Sequence, residues 1–366
     1  MRIAVVYLGR RGAGGKIALE LARHLSEMHT ISAILSHHAE NLEQWRKTSI
    51  ELFEFTTYRN APEAFASLII PFKVQEVVEQ IEKIQPDVLL FPMFHPWNAL
   101  IQRRLSGVPS VIYVHDPSPH PDMAGWFYGK LENESIRLAT RCVVMSEILK
   151  PALIQRGVDP GKIDMIPLGP LGDVSSIPLK KKTDNLPTLL FFGRIMPYKG
   201  LEVLLDAYER VCKITDCRLL IAGDGDLNAY REKLAELPNV EIVNRWIDGD
   251  EIENFFMQSD IVILPYTSAS QSGVIPIAAT FGLPVIATRT GGLPEQIENG
   301  LSGWLVSASD AAALADAIHD ALIHPDEAWR RGEMLKERYA RLFNWEQNTR
   351  QVEQSLLKAN QVRGQK

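Results

Sequence analysis

Two basic side chains, Arg194 and Lys199, follow the apolar run LLFF (189–192) and a glycine. A run of this kind predicts a buried strand, and open α/β sheets bind ligands at the carboxyl ends of their strands. An arginine there can bind phosphate oxygens through two parallel hydrogen bonds, and a lysine adds a second positive charge. The pair therefore predicts a site that neutralises phosphate groups.

A second segment complements these cations. Gln271, Ser272 and Gly273 form a turn before an apolar stretch that begins at Val274 and predicts a helix, and the strand-like run PVIAT (284–288) follows. Backbone N–H groups at the start of a helix bind anions. We expect these four residues to contact the ligand, with the amides of Ser272 and Gly273 on phosphate. The two segments together predict a nucleotide-diphosphate site.

Apolar runs that predict strands alternate with amphipathic stretches that predict helices along the chain. The runs are continuously apolar, which is typical of parallel sheets covered on both faces. We therefore predict an α/β fold with two doubly wound, Rossmann-like domains. The predicted strands lie at 3–8, 31–35, 50–55, 88–91, 110–114, 142–145, 188–192, 218–223, 240–243, 260–265 and 284–288.

The length of 366 residues also favours two domains, because single cores rarely grow so large. The stretch 171–186 is rich in Gly, Pro, Ser and Lys and has no hydrophobic period, so we predict that it is the linker. The N-terminal domain then spans 1–170 and the C-terminal domain 187–345. An amphipathic helix at about 346–366 completes the chain.

Composition narrows the class of protein. The net charge of −6 argues against nucleic acid as the main partner. The first apolar run ends too early, at Arg10, for a signal peptide, and no run approaches the roughly 20 residues that span a bilayer. The three cysteines fit neither a disulfide framework nor a zinc site. We expect reduced thiols and a cytoplasmic protein.

The glycine-rich turn GRRGAGGK (9–16) follows the first predicted strand. Ile17 breaks the dinucleotide fingerprint, and Arg10 breaks the P-loop pattern. Two interpretations stay open: a tight strand–helix turn, or a turn whose backbone faces a phosphate or sugar. We include Gly14 and Gly15 among the predicted substrate-binding residues.

Further polar residues follow predicted strands. His115 comes after SVIYV and is predicted to face the ligand in the cleft between the domains, although a structural histidine is the alternative. For His95, which follows the preceding strand, two interpretations stay open: a loop corner, or a residue that lines the same cleft. The pair Asp224 and Asp226 resembles a metal–diphosphate motif but also fits a glycine turn with a helix cap, and we expect no metal. Gly223 and Ile247, which follow two further strands, complete the predicted substrate-binding set.

These motifs occur together in one family. The chain resembles the retaining glycosyltransferases of family 4, which have the GT-B architecture, along essentially its full length. The matching pieces are the glycine turn at 12–15, HDP at 115–117, FFGRIMPYKG at 191–200, IAGDGD at 221–226 and FGLPVIATRTGGLPE at 281–295.

The resemblance implies two facing Rossmann-like domains, with a nucleotide sugar bound mainly by the second and a final helix crossing back to the first. It implies that Arg194 and Lys199 bind the diphosphate, and that His115 lies near the transferred sugar and its leaving phosphate. We predict that these three residues are catalytic. One departure matters: the family commonly carries two glutamates where this chain has Ala269 and Ile277, so contacts to the sugar and ribose hydroxyls cannot be assigned.

The predicted function is transfer of a hexose, with glucose from UDP-glucose as the first expectation, without a metal and with retention at the anomeric carbon. The predicted acceptor is a glycan or glycolipid in polysaccharide or glycoconjugate synthesis. The segment 67–72, Trp97 and Trp126 are either core or an apolar surface for such an acceptor or for peripheral contact at the inner membrane face. A nucleotide-sugar epimerase and a catalytically silent binding protein are the alternatives.

Overall fold

The computed structural model describes residues 1–58, 63–64, 67, 72–116, 126–170 and 186–363. The contacts divide the chain into two compact units. Unit 1 comprises Met1–Gly169 and Trp345–Lys366, and unit 2 comprises Pro170–Asn344. The predicted linker, apart from Leu186, lies outside the described residues, as do 68–71 and Pro117.

Unit 1 is built on a seven-stranded parallel sheet with the order β3-β2-β1-β4-β5-β6-β7. Its strands are β1 (Arg2–Tyr7), β2 (Thr30–Ser36), β3 (Glu51–Phe55), β4 (Val88–Phe91), β5 (Ser110–Tyr113), β6 (Arg141–Val144) and β7 (Ile163–Met165). Its first helices are α1 (Ala13–Ser26), α2 (Leu42–Arg46), α3 (Phe72–Ile84), α4 (Asn98–Arg104), α5 (Trp126–Leu138) and α6 (Lys150–Gln155).

Unit 2 repeats the plan with six parallel strands in the order β10-β9-β8-β11-β12-β13. The strands are β8 (Thr188–Phe192), β9 (Arg218–Ala222), β10 (Val240–Val243), β11 (Ile261–Leu264), β12 (Val285–Thr288) and β13 (Trp304–Val306). The helices are α7 (Leu201–Val211), α8 (Arg231–Glu236), α9 (Ile252–Met257), α10 (Val274–Thr280), α11 (Leu293–Gln296), α12 (Ala311–Ile323) and α13 (Pro325–Leu342).

The last helix, α14 (Trp345–Arg363), belongs to unit 1 although the chain reaches it from unit 2. It packs on α1, β4 and β5. Val352, Leu356 and Ala359 are fully buried, which explains the apolar stripe of this otherwise polar helix. Asn348 Nδ2 donates to the Pro167 carbonyl oxygen at 2.9 Å, so the helix start is also fixed on unit 1.

The predicted fold class is confirmed. The eleven predicted strands are all present, each within two residues of its predicted ends. The central residues are buried in nine of them, as parallel sheets covered on both faces require. The edge strands β3 and β10 are only partly buried or exposed. β7 and β13 were not predicted, because each is a three-residue strand at a sheet edge. None of the helices in the described ranges is both long and apolar enough to cross a bilayer.

Candidate active site

The predicted diphosphate-binding residues lie at the carboxyl edge of the unit 2 sheet. β8 pairs with β11 on one side and with β9 on the other, so the strand order reverses there. Doubly wound sheets bind ligands at such a switch point. The loop after β8 carries Arg194 and Lys199, and the loop after β11 carries the turn at 271–274. The Thr267 amide donates to the Tyr198 carbonyl at 2.8 Å, which joins the two loops directly.

Lys199 ends a short 3₁₀ turn, Pro197–Lys199, and is partly buried. Its Nζ donates a hydrogen bond of 2.5 Å to the hydroxyl of Tyr266. Burial lowers the pKa of Lys199 to about 8; nearby Tyr198 raises the pKa and Arg194 lowers it. A lysine already removed from water binds an anion strongly, because less solvation is lost on binding.

The turn after β8 is packed too tightly for side chains at its glycines. Gly223 has φ of +153°, and a Cβ there would lie 2.0 Å from the Gly193 carbonyl oxygen. The amide of Gly193 donates to the Ala222 carbonyl at 2.9 Å, and that of Ile195 to the Asp224 carbonyl at 2.8 Å. The predicted residue Gly223 is thus needed for the close approach of the β8 and β9 loops, which places Arg194.

The geometry changes our expectation for Ser272. This residue is only 2% exposed, and its amide already donates to Gln296 Oε1 at 2.8 Å. Its hydroxyl oxygen accepts from the Val274 amide at 3.2 Å. The predicted amide donor of Ser272 is therefore already used within unit 2, and the partly exposed Gly273 offers its amide for a phosphate. α10 has only seven residues, so its helix dipole adds little positive charge at this turn. Most of the charge that would neutralise a phosphate therefore comes from Arg194 and Lys199.

Two other predicted positions flank this edge. Gln271 is partly exposed, but its Oε1 is buried and has no donor within the described parts of the chain. Ile247, after β10, is 9% exposed. Asp226 accepts from the Asn228 amide at 2.8 Å, as expected for a residue that opens a helical turn. The described residues contain no cluster of three metal-ligating side chains.

In unit 1, the glycine-rich turn already holds an anion. The Gly12 amide donates to Glu40 Oε1 at 2.9 Å at the start of α1. A Cβ on Gly14 would lie 2.4 Å from the Met93 side chain, and one on Gly15 would lie 2.9 Å from Asn41. These contacts explain why glycines stand at 14 and 15, and the Gly12 amide is already used within unit 1. Substrate binding by Gly14 and Gly15 stays a prediction.

His115 follows β5 by one residue and is held in a defined orientation. Its Nε2 donates to the Pro92 carbonyl at 2.8 Å, so Nδ1 is the acceptor nitrogen of the neutral ring. Burial lowers the pKa of His115, while the hydrogen bond to Pro92 raises it. The residue as a whole is partly exposed.

His95 is a buried part of unit 1 at 5% exposure. It stacks on Tyr58 with ring centroids 5.1 Å apart, and its Nδ1 accepts from the Trp97 amide at 3.2 Å. Burial lowers the pKa of His95 to about 3, with a smaller contribution from Arg10. Trp97 is fully buried and is core rather than acceptor surface; the Trp126 side chain lies outside the described residues.

Sequence reasoning missed three residues of unit 2. Tyr266 accepts from Lys199, and Gln296 pairs with Ser272 and with the hydroxyl of Tyr339. Tyr266 had a usable signal, since it is a polar side chain just beyond the carboxyl end of a strand. Gln296 and Tyr339 lie on helices far away in sequence and had none.

Two doubly wound parallel sheets, one in each unit, are the architecture of the GT-B class of α/β proteins. HepE of Anabaena bound to UDP and glucose is similar over 98% of this chain and 99% of that one, with a TM-score of 0.79 and 18% identity. The sucrose-phosphate synthase of Thermosynechococcus elongatus is similar over 97% of this chain and 98% of its own, with a TM-score of 0.75 and 19% identity.

Family models match both units. A model described as Glycosyltransferase Family 4 matches residues 14–169, and one described as Glycosyl transferases group 1 matches residues 186–324. The two matches together cover most of the chain, which belongs to the family 4 glycosyltransferases and is a transferase enzyme.

Curated relatives agree with this membership. The gpi3 subunit of the phosphatidylinositol N-acetylglucosaminyltransferase of Schizosaccharomyces pombe is 23% identical over 84% of this chain and 69% of its own length. The D-inositol 3-phosphate glycosyltransferase of Mycolicibacterium smegmatis is 29% identical over 58% of this chain. The match spans about half, 52%, of that relative's length.

Proposed function

We propose that this glycosyltransferase moves a hexose, with glucose from UDP-glucose as the first candidate, to a hydroxyl of a glycan or lipid-linked acceptor with retention at the anomeric carbon. The observation that carries the proposal is the pair Arg194 and Lys199 at the switch point of the unit 2 sheet, joined to the turn at 271–274 through Tyr266. HepE, which has the same fold, is bound to UDP-glucose in one of its structures.

In the proposed reaction the bond between the anomeric carbon and the diphosphate oxygen breaks, and the acceptor oxygen bonds to the same face of that carbon. The acceptor proton passes to the departing phosphate. Arg194 and Lys199 stabilise the negative charge that develops on the diphosphate, with the Gly273 amide as a third donor. Two cations at this position supply the charge stabilisation for which other enzymes use a divalent ion.

Gln271 is our candidate for the residue that binds a hydroxyl of the nucleotide sugar. It would take the place of the family glutamates that are missing at Ala269 and Ile277. Its buried Oε1 has no donor in the described parts of the chain, and a buried acceptor left unpaired is costly. A ribose or hexose hydroxyl can fill that position, because a hydroxyl both donates and accepts.

For the acceptor we propose a chemical class and not a particular molecule. The relatives are named for phosphatidylinositol, inositol phosphate and related acceptors. A hydroxyl on a phosphate-bearing polyol or lipid therefore heads the list of acceptors to test, with unit 1 as the unit that binds it.

A panel of nucleotide sugars tests the proposal. Purified protein is incubated with UDP-, GDP- and ADP-hexoses, with and without excess EDTA, and free nucleotide and sugar products are measured. We expect release of nucleoside diphosphate from one donor class, unchanged by EDTA. An epimerised sugar that stays attached to its nucleotide would instead identify an epimerase, a fold relative at a TM-score of 0.62. Binding of a nucleotide sugar without release of nucleotide or change of its sugar would identify a silent binding protein.

A further inference from the structure

A chain of hydrogen-bonded polar groups, all but the first of them buried, begins at Lys199 of the proposed diphosphate site. It comprises Lys199, Tyr266, Ser272, Gln296 and Tyr339, and we call it the polar network. Lys199 Nζ donates to Tyr266 at 2.5 Å, and the Tyr266 hydroxyl lies 3.4 Å from Ser272 Oγ. Gln296 then joins Ser272 to the Tyr339 hydroxyl, which lies 3.1 Å from Gln296 Nε2. The network connects the loop after β8 to α13.

Gln296 holds the turn at two points. Its Oε1 accepts from the Ser272 amide at 2.8 Å, and its Nε2 donates to the Ser272 carbonyl at 2.9 Å. Both residues are buried, so either broken bond would leave an unpaired backbone group inside unit 2. The carboxamide accepts through its oxygen and donates through its nitrogen, so one side chain pairs with both backbone groups of Ser272. The peptide plane that joins the Ser272 carbonyl to the Gly273 amide therefore cannot rotate freely, and the direction of the Gly273 N–H is fixed.

Tyr266 transmits this order to Lys199. An ammonium group can only donate, so the Tyr266 oxygen accepts from Lys199. The same hydroxyl lies 3.4 Å from Ser272 Oγ, and either oxygen can be the donor of that contact. The Tyr266 backbone is held too, since Thr288 Oγ1 donates to its carbonyl at 2.5 Å. The other titratable or charged groups that act on Lys199 are Arg194 and Tyr198. One hydroxyl thus fixes Lys199 relative to the turn after β11.

We propose that Tyr266 and Gln296 are positioning residues of the diphosphate site, which hold Lys199 and the Gly273 amide at a fixed separation. The inference rests on the proposed function and deepens it. Both side chains are neutral, so they add no negative charge beside the diphosphate.

Gln296→Met tests the hold on the turn, because methionine keeps the volume and removes all three hydrogen bonds. Gln102→Met in unit 1 is the matched control: Gln102 is equally buried and bonds to Ser110 and to Ser135. Calorimetry measures the affinities for UDP and for uridine. If the panel of nucleotide sugars identifies a GDP-hexose as the donor, GDP and guanosine are used instead. We expect Gln296→Met to weaken the diphosphate about tenfold or more while the nucleoside changes less than about twofold. The control should leave both affinities unchanged.

Tyr266→Phe tests the hold on Lys199, because it removes one oxygen atom. Tyr208→Phe is its control, since the Tyr208 hydroxyl is buried in unit 2 and donates to the Cys217 and Pro238 carbonyls away from the site. Loss of an acceptor disfavours the protonated amine. The alkaline limb of kcat/KM for donor hydrolysis should therefore move about one unit to lower pH. Tyr208→Phe should lower the melting temperature only.

The outcomes separate this inference from the proposed function. If the wild type binds no nucleoside diphosphate, the proposed function fails. A different result overturns the positioning role and leaves the proposed function standing. In that case the wild type binds the nucleoside diphosphate and Arg194→Ala weakens the binding. Gln296→Met and Tyr266→Phe, however, keep the wild-type ratio of diphosphate to nucleoside affinity and the wild-type alkaline limb of the pH profile. Should Gln296→Met lack a cooperative thermal transition, Tyr266→Phe decides the matter by its pH profile.

Discussion

Arg194 and Lys199 are the residues on which the account depends most. Replacing either with alanine removes positive charge from a departing diphosphate, so kcat/KM should fall on the order of 10²-fold. Arg330→Ala and Lys213→Ala are matched controls, since both side chains are exposed in surface ion pairs of unit 2. Steady-state kinetics with the selected donor measures all four. Wild-type kinetics in both site variants would remove the assignment.

The pH dependence follows from the lowered pKa of Lys199, which burial brings to about 8. The protonated amine is the form that neutralises phosphate. Activity should therefore be complete below that pH, and kcat/KM of the free enzyme should fall as the pH rises through 8. A profile measured from about pH 6 to about pH 10 tests this. A flat profile over that range would show that Lys199 does not contribute as a cation.

His115 lies in unit 1, whereas the proposed diphosphate site lies in unit 2. The resemblance to family 4 places His115 near the transferred sugar. His115→Ala should therefore reduce turnover far more than nucleotide affinity, which calorimetry and kinetics measure on the same preparation. Loss of nucleotide binding in a folded variant would make His115 a nucleotide ligand and contradict its proposed role.

At the scale of elements, the site depends on the close contact of the loops after β8 and β9. Gly223→Ala would place a Cβ against the Gly193 carbonyl in a backbone conformation that alanine avoids. We expect a loss of about 1–3 kcal/mol in unfolding free energy together with weaker diphosphate binding. Gly107→Ala is the control, because nothing lies within 4 Å of a Cβ there. Chemical denaturation gives the difference, and equal stability of the two variants would show that the loops can move apart.

The sequence predicted the sheets well because buried parallel strands are continuous apolar runs, as in 188–192. It also placed Arg194 and Lys199 at the carboxyl edge of the unit 2 sheet, because strand ends can be located from such runs. β13 escaped detection because three residues carry no period, and its neighbours decide its conformation.

The polar network could not be predicted from the sequence. Ser272 and Gln296 are 24 residues apart and meet only because α11 is folded against the turn after β11. The sequence suggested that the Ser272 amide was available for phosphate. The structure shows that a glutamine with no local signal already uses it.

At the scale of the whole molecule, the chain leaves unit 1, forms unit 2 and returns to unit 1 as α14. Alanine substitutions at two adjacent residues test whether α14 packs on unit 1. Leu356 is fully buried, whereas Leu357 is 41% exposed. Leu356→Ala should cost about 2–5 kcal/mol of stability, and Leu357→Ala less than about 0.5 kcal/mol. Thermal unfolding with and without nucleotide provides the measurement. Similar losses in both variants would contradict the packing of this helix on unit 1.

A crystal structure of the protein with the nucleoside diphosphate of its donor tests the central claim most directly. We predict that the phosphates lie at the carboxyl ends of β8 and β11, within hydrogen-bond reach, about 3.5 Å, of Arg194, Lys199 and the Gly273 amide. A diphosphate bound at any other edge of the unit 2 sheet, or in unit 1, would contradict the account.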